Sequence, residues 1–157
     1  MRPDKQELID LLSITAEAEL QELYNRAYEI KKAQVGTKVY FRGIIELSNI
    51  CSKNCYYCGI RSGNPDFTRY TIPLEEALKE AKWCYEQRYG SLVIQAGERT
   101  DQAWIDYVSE LIQGIKKLSD GKLGITLSLG EQSEQVYRRW FEDGAHRYLL
   151  RIETTNP

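Results

Sequence analysis

From residue 39 onward the chain repeats one unit: a short β-branched or aromatic run, a polar loop, then apolar residues at helical spacing. Val39 to Leu47 is the first run, and residues 91–95, 124–129 and 146–151 supply the others. Between them three helices are expected: 73–87, with Pro73 in its first turn; one from a cap at Thr100 or Asp101 to about 118; and one from a cap at Ser133 to Gly144. Strands that alternate with helices lie parallel, because each helix returns the chain to the starting end of the sheet. The expected class is α/β, the N-terminal half of a (β/α)8 TIM barrel with four parallel strands. An open sheet is the alternative. The half-barrel is preferred because residues capable of chemistry follow every strand, on the face where barrel enzymes build their sites.

Ahead of this unit, residues 4–12 and 16–34 show helical spacing, with Leu8, Leu11 and Leu12 on one face and Leu20, Leu23, Ala27 and Ile30 on another. Thr15 is expected to cap the second helix and Gly36 to end it. The domain division read from this pattern is a helical cap over 1–36 and the half-barrel over 37–157, ending after the fourth strand. At 157 residues and a net charge of -2, with scattered basic residues, the chain has the size of one domain and no footprint for nucleic acid. No apolar run nears the ~18 residues of a membrane span, and Met1-Arg2-Pro3-Asp4 lacks the apolar core of a signal peptide. A cytoplasmic location is expected, where clustered cysteines serve metals or redox chemistry more often than disulfides.

The loop after the first strand reads Cys51-Ser-Lys-Asn-Cys55-Tyr-Tyr-Cys58, a C-x3-C-x2-C spacing with no fourth cysteine nearby. Three thiolates on one loop suit a cubane iron–sulfur cluster, which ordinarily takes four and here would keep one iron open to a small molecule. Two alternatives stand beside it. A zinc site would need a further Cys or His, and His146, the only histidine, is far along the chain. A Cys55/Cys58 dithiol would leave Cys51 idle. Tyr57 offers a ring to cover a cluster or stack on a base. Gly97-Glu98 ends the second strand, Ser128-Leu129-Gly130-Glu131 the third, and Arg151 the fourth, with Glu153 and Thr154 continuing that edge. Carboxylates for an ammonium and a guanidinium for a carboxylate are what the amino-acid part of a ligand requires, although salt bridges between these loops are the bland reading. Cys84, His146 and the stripe Trp104, Tyr107, Leu111 and Ile115 read as packing, and Lys53 and Asn54 as solvated or loop-capping.

The cysteine loop with its aromatic, the Gly-Glu after the second strand and the strand order together resemble the radical S-adenosylmethionine (SAM) superfamily. The strings Ile45-Glu46-Leu47-Ser48-Asn49-Ile50-Cys51, Gln95-Ala96-Gly97-Glu98, Thr126-Leu127-Ser128-Leu129-Gly130-Glu131 and Arg147-Tyr148-Leu149-Leu150-Arg151-Ile152-Glu153-Thr154 look like its HydE-type [FeFe]-hydrogenase maturases. Methylornithine synthase and biotin synthase, near relatives of that branch, are the runner-up resemblances. The resemblance implies a [4Fe–4S] cluster on Cys51, Cys55 and Cys58, with SAM chelating the open iron. It implies Tyr57 against the adenine, Gly97-Glu98 at the methionyl ammonium, and Ser128, Glu131 and Arg151 at the ribose or methionyl part. It further implies a one-electron donor, reductive cleavage of SAM to methionine and a 5′-deoxyadenosyl radical, a small-molecule substrate, and the company of other hydrogenase maturation proteins. Ile152 stands where some members have histidine, and members continue through strands 5 to 8. A non-catalytic, metal-binding half-barrel is the rival reading, and open edges on strands 1 and 4 imply dimerisation.

Overall fold

The computed structural model describes residues 3–152 and divides into two compact units, one running to Val39 and the other from Tyr40. The first holds α1 (Lys5–Leu12) and α2 (Glu17–Val35). Asp4 caps α1, its carboxylate accepting from the Glu7 N–H at 2.8 Å. The expected cap of α2 is corrected: Ala16, not Thr15, stands at the N-cap and gives no side-chain bond. Gly36 ends α2 with φ 73°, a left-handed torsion that suits glycine.

The second unit runs β1 (Arg42–Ser48), α3 (Leu74–Glu86), β2 (Ser91–Ala96), α4 (Gln102–Leu118), β3 (Gly124–Ser128), α5 (Glu134–Glu142) and β4 (Arg147–Tyr148). All three strand pairings are parallel, in the order β1-β2-β3-β4, as the alternation requires. β1 starts at Arg42 rather than at 39, because β2 begins at Ser91, directly opposite Arg42, and offers nothing earlier to pair with. β4 is shorter than the expected 146–151. After Leu149 N–H donates to the Leu127 carbonyl at 2.7 Å, its last residues run on past the end of β3.

Burial explains the layering. Along β1 it alternates, Gly43, Ile45 and Leu47 turning inward while Ile44 and Glu46 face out. β2 and β3 lie between neighbours, and their Leu92, Ile94, Ile125 and Leu127 are almost completely buried. α3 meets the sheet through Ala77, Ala81 and Cys84, spaced for one helical face. α4 contributes Trp104, Ile105, Val108, Leu111, Ile112 and Ile115, and α5 contributes Trp140, all in one core. Cys84 and the Trp104 stripe are therefore packing residues, and burial pushes the Cys84 thiol pKa up. Tyr107 donates its hydroxyl to the Ile72 carbonyl at 2.7 Å, and burial raises its pKa to about 12. Asp101 caps α4 by accepting from Trp104 N–H at 3.0 Å, and Ser133 caps α5 through Val136 N–H. Pro73 sits at the N-cap of α3, one place earlier than expected.

Ile94 lies at the centre of this core, so Ile94→Ala should destabilise the unit by about 2–5 kcal/mol. Urea denaturation should show a lower midpoint with an unchanged slope.

Candidate functional site

Parallel strands bring their C-terminal ends to one edge of the sheet, and the loops that leave this edge enclose a cleft of about 800 Å³. Cys51, Cys55, Cys58 and Tyr57 line it from the β1 loop. Gly97 and Glu98 line it from the exit of β2, Ser128 and Glu131 from β3, and Arg151 from beyond β4. Every site residue expected from the sequence within the described residues is thus on one cavity wall. Glu153 and Thr154 lie outside the described residues.

The cysteine loop is built onto the exit of β2. Gly97 N–H donates to the Ser48 carbonyl at 3.2 Å, and Ser52 N–H donates to the Glu98 carbonyl at 2.9 Å, so pairing continues past the strands. Glu98 N–H points at Cys51 Sγ, 3.4 Å away. A Cβ on residue 97 would stand 2.7 Å from Cys51 Cβ and would also strike the Ile50 carbonyl, which is why glycine is required there. Gly130 repeats the device one strand along: its φ is 78°, and an added Cβ would lie 2.5 Å from Glu98 Cβ. Tyr148 donates its hydroxyl to the Gly130 carbonyl at 2.7 Å. Burial, with Tyr137 adding to it, raises the Tyr148 pKa and keeps the phenol protonated for that bond.

Two residues carry more of the site than their sequence context suggested. Arg69 spreads its guanidinium over four backbone carbonyls, those of Asn49, Ile60, Arg61 and Asn64, at 2.7 to 3.1 Å. These carbonyls flank the three cysteines, so one fork of donors closes the loop around them. Lys53, expected to be solvated or loop-capping, instead pairs with Glu98 at 3.2 Å and Glu131 at 3.5 Å. The hydrogen bond to Glu98, then its charge, raise the Lys53 pKa. Asn54 does cap the loop, its Oδ1 accepting from Gly63 N–H at 3.1 Å. Arg151 donates to Gln95 Oε1 at 3.2 Å, and Ser128 is buried at the foot of the cleft. His146 accepts from the Ile125 N–H at 3.2 Å through Nδ1 and is not among the residues lining the cleft.

The donor set suits a cluster. The residues lining the cleft include three cysteines from one loop, and cubane clusters are held by cysteine thiolates. The thiols are free, two of them part-buried and Cys55 exposed at the cleft. The N–H aimed at Cys51 Sγ is the kind of contact that stabilises a cluster thiolate. Among the described residues no helix is long and apolar enough to cross a membrane.

Two outcomes follow from this geometry. Removing the fork with Arg69→Ala should speed amide hydrogen exchange across residues 49–64 by roughly tenfold or more, leaving α4 amides unchanged. Gly97→Ala should cost about 1–3 kcal/mol of stability in denaturant melts, since backbone rather than a flexible side chain must yield.

Comparison with known proteins agrees with the fold. The radical SAM superfamily pattern matches residues 45–157. The chain is 40% identical over 151 residues to the [FeFe] hydrogenase maturase subunit HydE of Thermotoga maritima, covering 96% of this chain and 42% of that protein. It is 28% identical over 154 residues to a biotin synthase of Staphylococcus epidermidis, covering 96% and 47% respectively. A crystal structure of methylornithine synthase superposes with a TM-score of 0.84 at 23% identity, over 96% of this chain and 44% of that one, which speaks for the fold. The chain therefore spans less than half the length of these relatives. With the parallel half-barrel, the three-cysteine loop and these matches together, the chain belongs to the radical SAM superfamily.

Proposed function

We propose that this chain carries the cofactor-binding half of a radical SAM enzyme acting in [FeFe]-hydrogenase maturation. The observation that carries the reading is the shared cleft: the three cysteines of one loop and residues at the exits of three further strands line one cavity of about 800 Å³. In this reading Cys51, Cys55 and Cys58 hold a [4Fe–4S] cluster, and their number leaves one iron for the amino and carboxylate groups of SAM. When bound, the cluster supplies the electron that splits SAM reductively into methionine and a 5′-deoxyadenosyl radical.

The chain's own residues bind and orient. Gly97 lets the β2 exit lie against the cysteine loop, Gly130 does the same for the β3 exit against Glu98, and the Gly97-Glu98 turn accepts from the amino group of the ligand. Tyr57 faces the adenine, Ser128 and Glu131 meet hydroxyl groups, and Arg151, freed from Gln95, offers a fork to a carboxylate. The reading includes a small-molecule substrate, a one-electron donor and other maturation proteins as partners, a cytoplasmic location, and the domain division at residues 36 and 37. The outer strands β1 and β4 give the chain a route to self-association. The maturase assignment leans on the 40% identity to HydE, against 28% for biotin synthase.

Anaerobic reconstitution with iron and sulfide should load about four of each per chain. Single Cys→Ala changes at 51, 55 and 58 should each abolish most of that loading, while Cys84→Ala, a core position, should not. Zinc binding in place of iron and sulfide, or loading that survives all three changes, would refute the assignment.

A further inference from the structure

The Glu98 and Glu131 carboxylates share one cation, and the chain supplies it itself. Lys53 lies between Cys51 and Cys55 on the cysteine loop, and its Nζ reaches both carboxylates from across the cleft wall. The three partners differ in freedom. The Glu98 side chain is only 13% exposed, and its second oxygen accepts from the Glu131 N–H at 2.9 Å, so it is fixed. Lys53 is half exposed, with a long flexible stem, so it can leave.

We propose that Lys53 is an exchangeable counter-ion of the Glu98–Glu131 pair, held there until a cationic ligand takes its place. This rests on the reading above, in which the cleft receives SAM. That ligand brings a sulfonium and an amino group with N–H donors. Glu98 already accepts from the Glu131 N–H on Oε2 and from Lys53 on Oε1, so an arriving donor competes with the lysine for Oε1 and releases the lysine. The exchange keeps the charge at the pair constant, and Glu98 never stands part-buried and unpaired. It also gives selectivity: a neutral nucleoside leaves Lys53 in place and gains nothing from the carboxylates. The placement of the lysine matters, because its release frees the side chain of the segment that carries the thiols.

The sign of the effect separates a placeholder from a direct ligand contact. Lysine acetylation read by mass spectrometry should show Lys53 labelled about threefold faster when the reconstituted full chain is saturated with SAM, the scale of one half-exposed ion pair. Lys53→Met, confirmed folded by circular dichroism, should bind SAM about threefold more tightly by equilibrium dialysis, since nothing need be displaced. Labelling that slows or stays constant in wild-type protein, or weaker binding by folded Lys53→Met, would overturn the proposal while leaving the cleft a SAM site. Wild-type protein that does not bind SAM at all would overturn both.

Discussion

The missing side chain at Gly97 is the constraint on which the cleft depends. It allows the exit of β2 to lie directly on Ile50 and Cys51, where any Cβ would strike backbone. From that contact the rest follows in sequence order. Ser48, Gly97, Ser52 and Glu98 extend the strand pairing into the cysteine loop, and Glu98 turns its N–H toward Cys51 Sγ. Glu98 in turn lies under Gly130, and Tyr148 holds the Gly130 carbonyl from β4. Each strand exit leans on the next, so four loops of different length form one wall.

Rigidity and freedom are divided sharply across this wall. Below it, Leu92, Ile94, Ile125 and Leu127 pack between neighbouring strands and helices with almost no exposure. Above it, residues 49–72 form no helix or named strand and depend on side chains for their shape. Arg69 replaces regular structure there by gathering four carbonyls, and Asn49 adds a bond in each direction, to the Thr68 carbonyl and from Tyr70 N–H. A loop held this way keeps Cys51, Cys55 and Cys58 in the lining of the cavity, with Cys55 exposed and the other two part-buried.

Much of this was legible in the sequence, for a physical reason: parallel sheets force periodicity. The strand runs at 91–95 and 124–129 match β2 and β3 to within one residue, Asp101 is the one of the two offered caps that α4 uses, and Ser133 caps α5. The ends of β1 and β4 were not legible, because they are set by where the partner strand starts and stops. Thr15 failed as a cap because a hydroxyl near a helix start caps it only if the backbone aims it there. The cysteine loop and the Gly-Glu turn announced themselves by spacing. Lys53 and Arg69 did not, since a lone cation in a polar loop carries no local sign of which carboxylates or carbonyls, up to 78 residues away, it will meet.

The most direct measurement is the electron paramagnetic resonance spectrum of the reconstituted, dithionite-reduced chain, recorded with and without SAM. A cubane held by Cys51, Cys55 and Cys58 with one iron open should give a reduced-cluster signal whose shape changes on SAM addition, and should lose that response in Cys58→Ala. A signal that SAM leaves unaltered, in protein carrying a full cluster, would contradict the central claim that this cleft joins an open iron to a SAM site.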